Sequence, residues 1–593
     1  MYVYELTTTG TISFGEFLIT TDLVGQVSQT TELRARLRGI LKEQRASVSL
    51  VGGGCVGGSG SASGSGGGGG SGSGSGASEG TAGSSTGPLT SHDWLPIIKA
   101  VEEYLPYLFA VFNSIQTDDL ILRYEPVFSW RTCLSSPTLR GAQRIELVGL
   151  YYEICSTLLA YALVLSNFSA SIVASLGEYE RDRSLSDADR GVKNDRLKAA
   201  ADTLCRAAGI LAHLSSHLIP RWESHHGIPE GRPPELTREL TLALSKVCLA
   251  EAQALAIRKL LAPSLALATD TVTPGPPLPK SHPSPSLLAK LHLNVAEEFE
   301  AALSLARTVN DGKRVRTSAG ASSGSSSGGG YRGTGSLGGG GAQADDLVPG
   351  KSGGGKKLFG RLKNLGSSSS SAGVGGTTTI GSASGVDKDL DLHSSFLRYL
   401  GVMAGFHRAL AYKWLGVDAG ESSNRIGEGI SFFAMSQTAL TSSTMKEGLV
   451  GLSKLKGGMS SSSHAGKHTR LDFAVVREQE LKSVAHWLTS YRKLNDTVTF
   501  QPLIGESELR AKIPAGRAAL LMKAYTPPQP AFGPGSAGYR SKDGTDALDA
   551  DNLHRLGPDH PARSNLALAD STGPSSGAAS AHGAQYAGAG AYY

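Results

Sequence analysis

The chain has 593 residues, of which 76 are glycine, and 57 basic against 52 acidic side chains leave a formal net charge of only +5. Both signs are spread along the chain, so neither a nucleic-acid stripe nor a taste for acidic substrates is indicated. Long Gly/Ser runs take much of the length out of any core and leave a foldable part of roughly 400 residues.

In chain order, the start MYVYELTTTGTISFGEF has no basic stretch followed by an apolar core, so a cytosolic chain is expected. Tyr2 to Leu6 reads as a short strand or extended arm. Residues 31–45, TELRARLRGILKEQR, form an amphipathic helix with Leu33, Leu37, Ile40 and Leu41 on one face. Residues 51–87 are nearly pure Gly and Ser, a composition that buries too little to fold, and form a disordered insertion. Thr90 and Asp93 resemble a capping box for the helix that follows, which Pro106 must kink or divide. Residues 123–138 read as turn-rich.

The most apolar stretch lies at 146–176 and carries no charge from Ile154 to Leu176, so a membrane span must be weighed against a core helix. Leu158, Tyr161, Leu165, Phe168, Ile172 and Leu176 recur at helical steps, while Ser166, Asn167, Ser169, Ser171 and Ser175 interrupt the run. That pattern suits a helix buried by its neighbours. An Ala-rich helix over 195–219, a long helix starting at Pro233 and Pro234 and ending before Pro263, and a helix opened by Ser284 and Pro285 follow. A second disordered insertion spans 310–386. Helices resume at Asp387, with a last long one over 470–493, and a low-complexity tail occupies 535–593.

Enzymatic motifs fare badly. PGKSGGGKK at 349–357 has the skeleton of a phosphate-binding loop, but Lys357 stands where the magnesium-binding hydroxyl belongs and no strand precedes it. His225 and His226 are expected in a polar loop, with no ligand cluster around them. The cysteines Cys55, Cys133, Cys155, Cys205 and Cys248 are far apart and form no CxxC pair; four sit in apolar helical contexts and read as core thiols of a reducing compartment. No catalysis, cofactor or metal is expected. The segment KKLFGRLKNL sets Leu358, Phe359, Leu362 and Leu365 against Lys356, Lys357, Arg361 and Lys363. It reads either as a contact for an anionic membrane or a partner groove, or as a solvated linker. YTPPQPAFGPG at 525–535 is a ligand for an aromatic groove or, preferably, an extended end packed on the domain surface.

Five blocks then converge on one family. GLYYEICSTLLAYALVLSN around Tyr152 and Glu153, the Ala207, Ala208, Gly209 core of 197–214, and LAEAQ at 249–253 each resemble helices of the BRO1 domain. So do GEGI at 427–430 and LNDTVTF at 494–500, in the same order and helical context. The chain departs from the family pattern at Glu251, where the family has Gln, and at Ala254, where it has Glu. The resemblance implies an all-α fold over residues 1–534, a curved helical array with a tetratricopeptide-like central part, interrupted by the two insertions. It also implies binding of the C-terminal helix of the Snf7/Vps32-type ESCRT-III subunit. Only a Ser, Gly and Ala tail follows Pro534, and this outline is similar to the branch of the family that serves fungal ambient-pH signalling. That branch implies an adaptor recruited peripherally to plasma-membrane or endosomal sites, meeting pH-signalling components at the cell cortex, and required for proteolytic activation of a PacC-type zinc-finger transcription factor. A scaffold in general endosomal sorting is the alternative.

A partner helix needs an apolar groove. Leu287, Leu291, Val295 and Phe299 form a stripe that either lines such a groove or simply faces the core. Near the domain's end, Arg492, Asn495 and Asp496 fix the terminal segment by hydrogen bonds or add to a contact surface.

Overall fold

The structure, a computed structural model, describes residues 1–50, 94–135, 142–182, 184–267, 275–321, 391–442, 445 and 464–539. They fall into two compact units. The first comprises Met1–Thr11, Arg38–Ile98 and Val127–Tyr525; the second comprises Ile12–Leu37, Lys99–Pro126 and Thr526–Tyr593. Both are built mainly of α-helices.

In the first unit the apolar run folds as α4, Leu150–Leu176, which is buried along most of its length and stopped by Gly177 at φ 60. Two described helices, Leu150–Arg181 and Arg238–Leu265, are long and apolar enough to cross a bilayer. Most of the apolar window of each is buried inside the protein, 67% and 72% respectively, as expected of core helices. The interruptions in α4 have partners. Ser169 donates its hydroxyl to the Ala200 carbonyl at 2.8 Å, and Asn167 pairs with the N-H and the carbonyl of Tyr4, each at 2.9 Å. The N-terminal arm is therefore extended, as read, and docked on α4 through a side-chain amide that acts as a neighbouring strand would.

Helix α4 packs on α5 (Asp187–His213), which runs through a π turn, Leu214–Leu218, into α6, Ile219–His226. Next come α7 (Arg238–Leu267), α8 (Pro285–Ala321), α9 (Ser394–Val417), α10 (Ile426–Thr441) and α11 (His464–Leu494), each of α7 to α10 packed on the next. Small residues bring these helices close. Ser245 donates to Ala208 O at 2.8 Å and Ser436 to Ala409 O at 2.7 Å, repeating the Ser169 arrangement at two more crossings. A Cβ on Gly429 would lie 2.9 Å from Gly416 O, so backbone nearly touches backbone there. A short helix, α12 (Glu506–Ala511), completes the unit.

Several readings need correction. Residues 123–138 are not all turn: β1 in this unit, Val127–Arg131, pairs antiparallel with β2, Arg144–Val148, burying Phe128, Trp130, Ile145 and Leu147 on alternate positions. Trp130 donates its indole N-H to the buried Glu153 carboxylate at 2.7 Å. Helix α7 continues through Pro263 to Leu267, because a proline in the last turns leaves few main-chain bonds to lose. His225 and His226 end α6, flanking the ring of Tyr151 at 6.0 and 5.7 Å, and are not in a loop.

In the second unit, α1 (Phe14–Phe17) leads into a two-residue strand, Leu18–Ile19, paired with Ile121–Leu122. The helix α2, Val24–Leu50, of which the part up to Leu37 belongs to this unit, begins earlier than the periodicity suggested, and α3, Leu95–Gln116, in this unit from Lys99 on, is one helix with Pro106 inside it. The Pro-rich end packs as an extended chain: Ala531 donates to Pro106 O at 3.1 Å, Asn113 to Pro534 O at 3.2 Å, and Phe532 is buried beside Tyr107. Thr90 and Asp93, most of the two insertions and the tail beyond 539 lie outside the described residues.

Candidate functional site

The family-like blocks turn out to be fastening points. In α7, Glu251 is buried and its Oε1 accepts from the Tyr2 N-H at 2.8 Å and the Tyr399 hydroxyl at 2.6 Å. Burial raises its carboxyl above the usual range. Two residues on, Gln253 Oε1 accepts the Ala519 N-H at 3.1 Å. The block thus ties the N-terminal arm, α9 and the segment after α12 to one helix. Gly209 lies directly under that segment, and Gly427 N-H donates to Gln501 Oε1 at 3.0 Å. The buried Glu428 is paired with Arg425 at 3.0 Å and Lys512 at 3.1 Å.

Asn495 is the organiser of the closing block. Its Oδ1 accepts from Gln501 N and the Thr499 hydroxyl at 2.9 and 2.7 Å, and its Nδ2 donates to Gln501 O at 3.0 Å. It fixes the terminal segment, whereas Arg492 and Asp496 stay exposed. Asn495→Ala is expected to lose about 1–3 kcal/mol of stability, because the turn's main-chain groups are left without partners; urea unfolding checks this. The same turn carries Val498, Phe500 and Leu503, at least 63% exposed, with Phe500 in the left-handed region at φ 50.

Of the stripe on α8, Leu291, Val295 and Phe299 are buried, on a helix that packs against both α7 and α9, and Leu287 alone is half-buried. The core-facing alternative therefore describes these three positions in this structure. Phe299 stacks at 6.1 Å on His407, whose Nδ1 lies 3.0 Å from Nδ1 of His292. Both imidazoles are buried between α8 and α9. Burial drives His292 well below its usual value and His407 down to about 3, so both are neutral and one donates to the other. Helical spacing of apolar residues gave no hint of this pair, nor of the extended strap over 513–525 described below; only the glycines at 209 and 516 signalled close approach. Lys356, Lys357, Phe359, Arg361 and Lys363 lie outside the described residues.

A small cavity is lined by Thr7, Trp130, Tyr152, Ser156 and Glu235. Glu235 accepts there from Cys133 N at 2.8 Å and Ser135 Oγ at 3.3 Å, and burial raises its carboxyl. The Cys133 thiol also hydrogen-bonds the Glu235 carboxylate. Cys133, Cys155, Cys205 and Cys248 are unbridged; desolvation raises all four thiols, which makes them poor nucleophiles. Among the described residues no three His, Cys, Asp or Glu side chains converge on a metal position.

A family model described as a BRO1-like domain matches residues 96–560. The pH-response regulator protein palC of Cryptococcus neoformans var. neoformans is 31% identical over 474 residues, covering 76% of this chain and 84% of that protein. Among solved structures, ALIX bound to the SIVmac239 PYKEVTEDL late domain is 12% identical with a TM-score of 0.44, over 90% of this chain and 50% of ALIX. The ALIX BRO1 domain in a CHMP4C complex is 12% identical with a TM-score of 0.43, over 89% of this chain and 96% of that one.

Proposed function

The chain belongs to the family of BRO1-like domains, and from that premise we propose that it is a non-enzymatic adaptor in fungal alkaline-pH signalling. The observation that carries the reading is the match across most of both chains to a protein named as a pH-response regulator. In this reading the chain binds the C-terminal helix of the Snf7-type ESCRT-III subunit and is required for proteolytic activation of the PacC-type transcription factor. It works in the cytoplasm, recruited peripherally to plasma-membrane or endosomal sites. The partner helix approaches α8 at its amino-terminal end, where Leu287 keeps accessible surface; the exposed Arg492 is a second candidate contact.

Burying an aspartate carboxylate in an apolar helix interface is costly, so Leu287→Asp is expected to lower partner affinity at least about tenfold. Leu287 is only half-buried, so melting should change little. The cellular test is processing of the transcription factor after a shift to alkaline pH. A strain lacking this chain should leave the factor uncleaved. Normal cleavage in that strain would contradict the pH-signalling role and favour a scaffold in general endosomal sorting.

A further inference from the structure

Residues 513–525 lie as an extended strap across three helices of the first unit. Arg517 N-H donates to Lys290 O of α8 at 2.9 Å, Ala519 N-H to Gln253 Oε1 of α7 at 3.1 Å, and Lys523 N-H to Cys205 O of α5 at 3.1 Å. Two glycines let the backbones meet. A Cβ on Gly516 would sit 2.7 Å from Asn294 N, and one on Gly209 would sit 1.7 Å from Lys523 O. The strap is attached largely through its main chain. None of its residues is fully buried, and Leu521 and Met522 are 81% and 51% exposed. Little apolar area therefore holds it down.

The position on α8 is specific. Leu287, Lys290, Leu291 and Asn294 are spaced i, i+3, i+4 and i+7, so they share one helix face. The strap contacts Lys290 and Asn294, and thus lies on the face that carries Leu287 and the covered Leu291.

We propose that this strap is a built-in competitor of the partner helix. When an amphipathic helix takes the α8 face, the strap lifts from Lys290 and Asn294, and its grip on α8 sets the affinity of the adaptor. The proposal rests on the helix-binding reading above, and names how that site is regulated.

The test uses the full chain and a labelled synthetic C-terminal helix of the Snf7-type subunit, followed by fluorescence anisotropy. Gly516→Ala forces the strap off Asn294, and Arg517→Pro removes the donor to Lys290 without touching α8. Both variants should bind at least about fivefold more tightly than the parent, as expected for release of a coupled contact. Leu287→Asp placed in either should cancel the gain. Without peptide, the amides of Ala519 and Lys523 should exchange faster in both variants. Loosened amides with affinity equal to or below the parent's would overturn the competitor role while leaving partner binding intact. Unchanged amides would overturn it too, since the strap would not be held by these contacts. Loosened amides with no binding by parent or variants would remove the helix-binding reading along with it.

Discussion

Replacing Gly209 by alanine is expected to destabilise the protein by about 1–3 kcal/mol, the usual range for overpacking a tight site. Intrinsic propensity points the other way, since alanine in a helix interior is favoured over glycine by about 1 kcal/mol. The sign is set by what lies above the residue. A Cβ would sit 1.7 Å from the Lys523 carbonyl oxygen and 2.8 Å from its carbon, both main-chain atoms that no rotamer change can clear. Either the strap lifts, losing the Lys523 to Cys205 bond and the packing of Tyr525 on His213, or α5 moves against α7. The second route disturbs the bond from Ser245 to Ala208 O at that crossing. Urea midpoints at fixed pH measure the loss, and trypsin cleavage after Lys523 reports whether the strap is the part that gives way. A variant more stable than the parent would show that propensity outweighs the contact.

Acidification from pH 6.5 downward should cost stability through His292 and His407. Each has a folded-state pKa below its unfolded value of about 6.5. The unfolded chain takes up protons that the buried pair refuses, so the stabilising contribution is complete above pH 6.5. It is lost progressively as pH falls towards the folded value, about 3 for His407. The slope approaches about 1.4 kcal/mol per pH unit for each histidine whose protonation is confined to the unfolded state. Glu235 and Glu251 run the opposite way, because burial raises their folded pKa values and their contribution is lost as pH rises. The histidine contribution is therefore read by difference. Replacing both with Met keeps an adaptable apolar contact between α8 and α9 and removes both titrations. Denaturant unfolding at pH 7.5 and pH 5.0 should show a smaller acid loss in the double variant, and an equal loss in the two proteins would assign it elsewhere.

The helical architecture was legible because its signal is local. The apolar run of α4, uncharged from Ile154 to Leu176, and the Ser284-Pro285 start of α8 each carry their own pattern. What escaped was long-range. β1 and β2 are five residues each, and their alternation is visible only once the partner strand is known. Asn167 looked like an interruption of an apolar helix, yet it is the residue that receives the N-terminal arm. The α8 stripe shows the limit most sharply. Spacing places Leu287, Leu291, Val295 and Phe299 on related faces, but only the packing of α7 and α9 and the path of the strap decide which of them a partner can reach. Glu251, a departure from the family pattern, is buried with two donors on one oxygen, so that substitution is accommodated by the arm and by Tyr399.

The most direct test of the adaptor account is a titration of the labelled C-terminal helix of the Snf7-type subunit with the full-length chain at neutral pH. Saturable binding with a dissociation constant of tens of micromolar or tighter, about −6 kcal/mol or better, is the predicted result, and it should be lost in Leu287→Asp with an unchanged melting curve. A folded chain that leaves the helix unbound at several times that concentration would contradict the account.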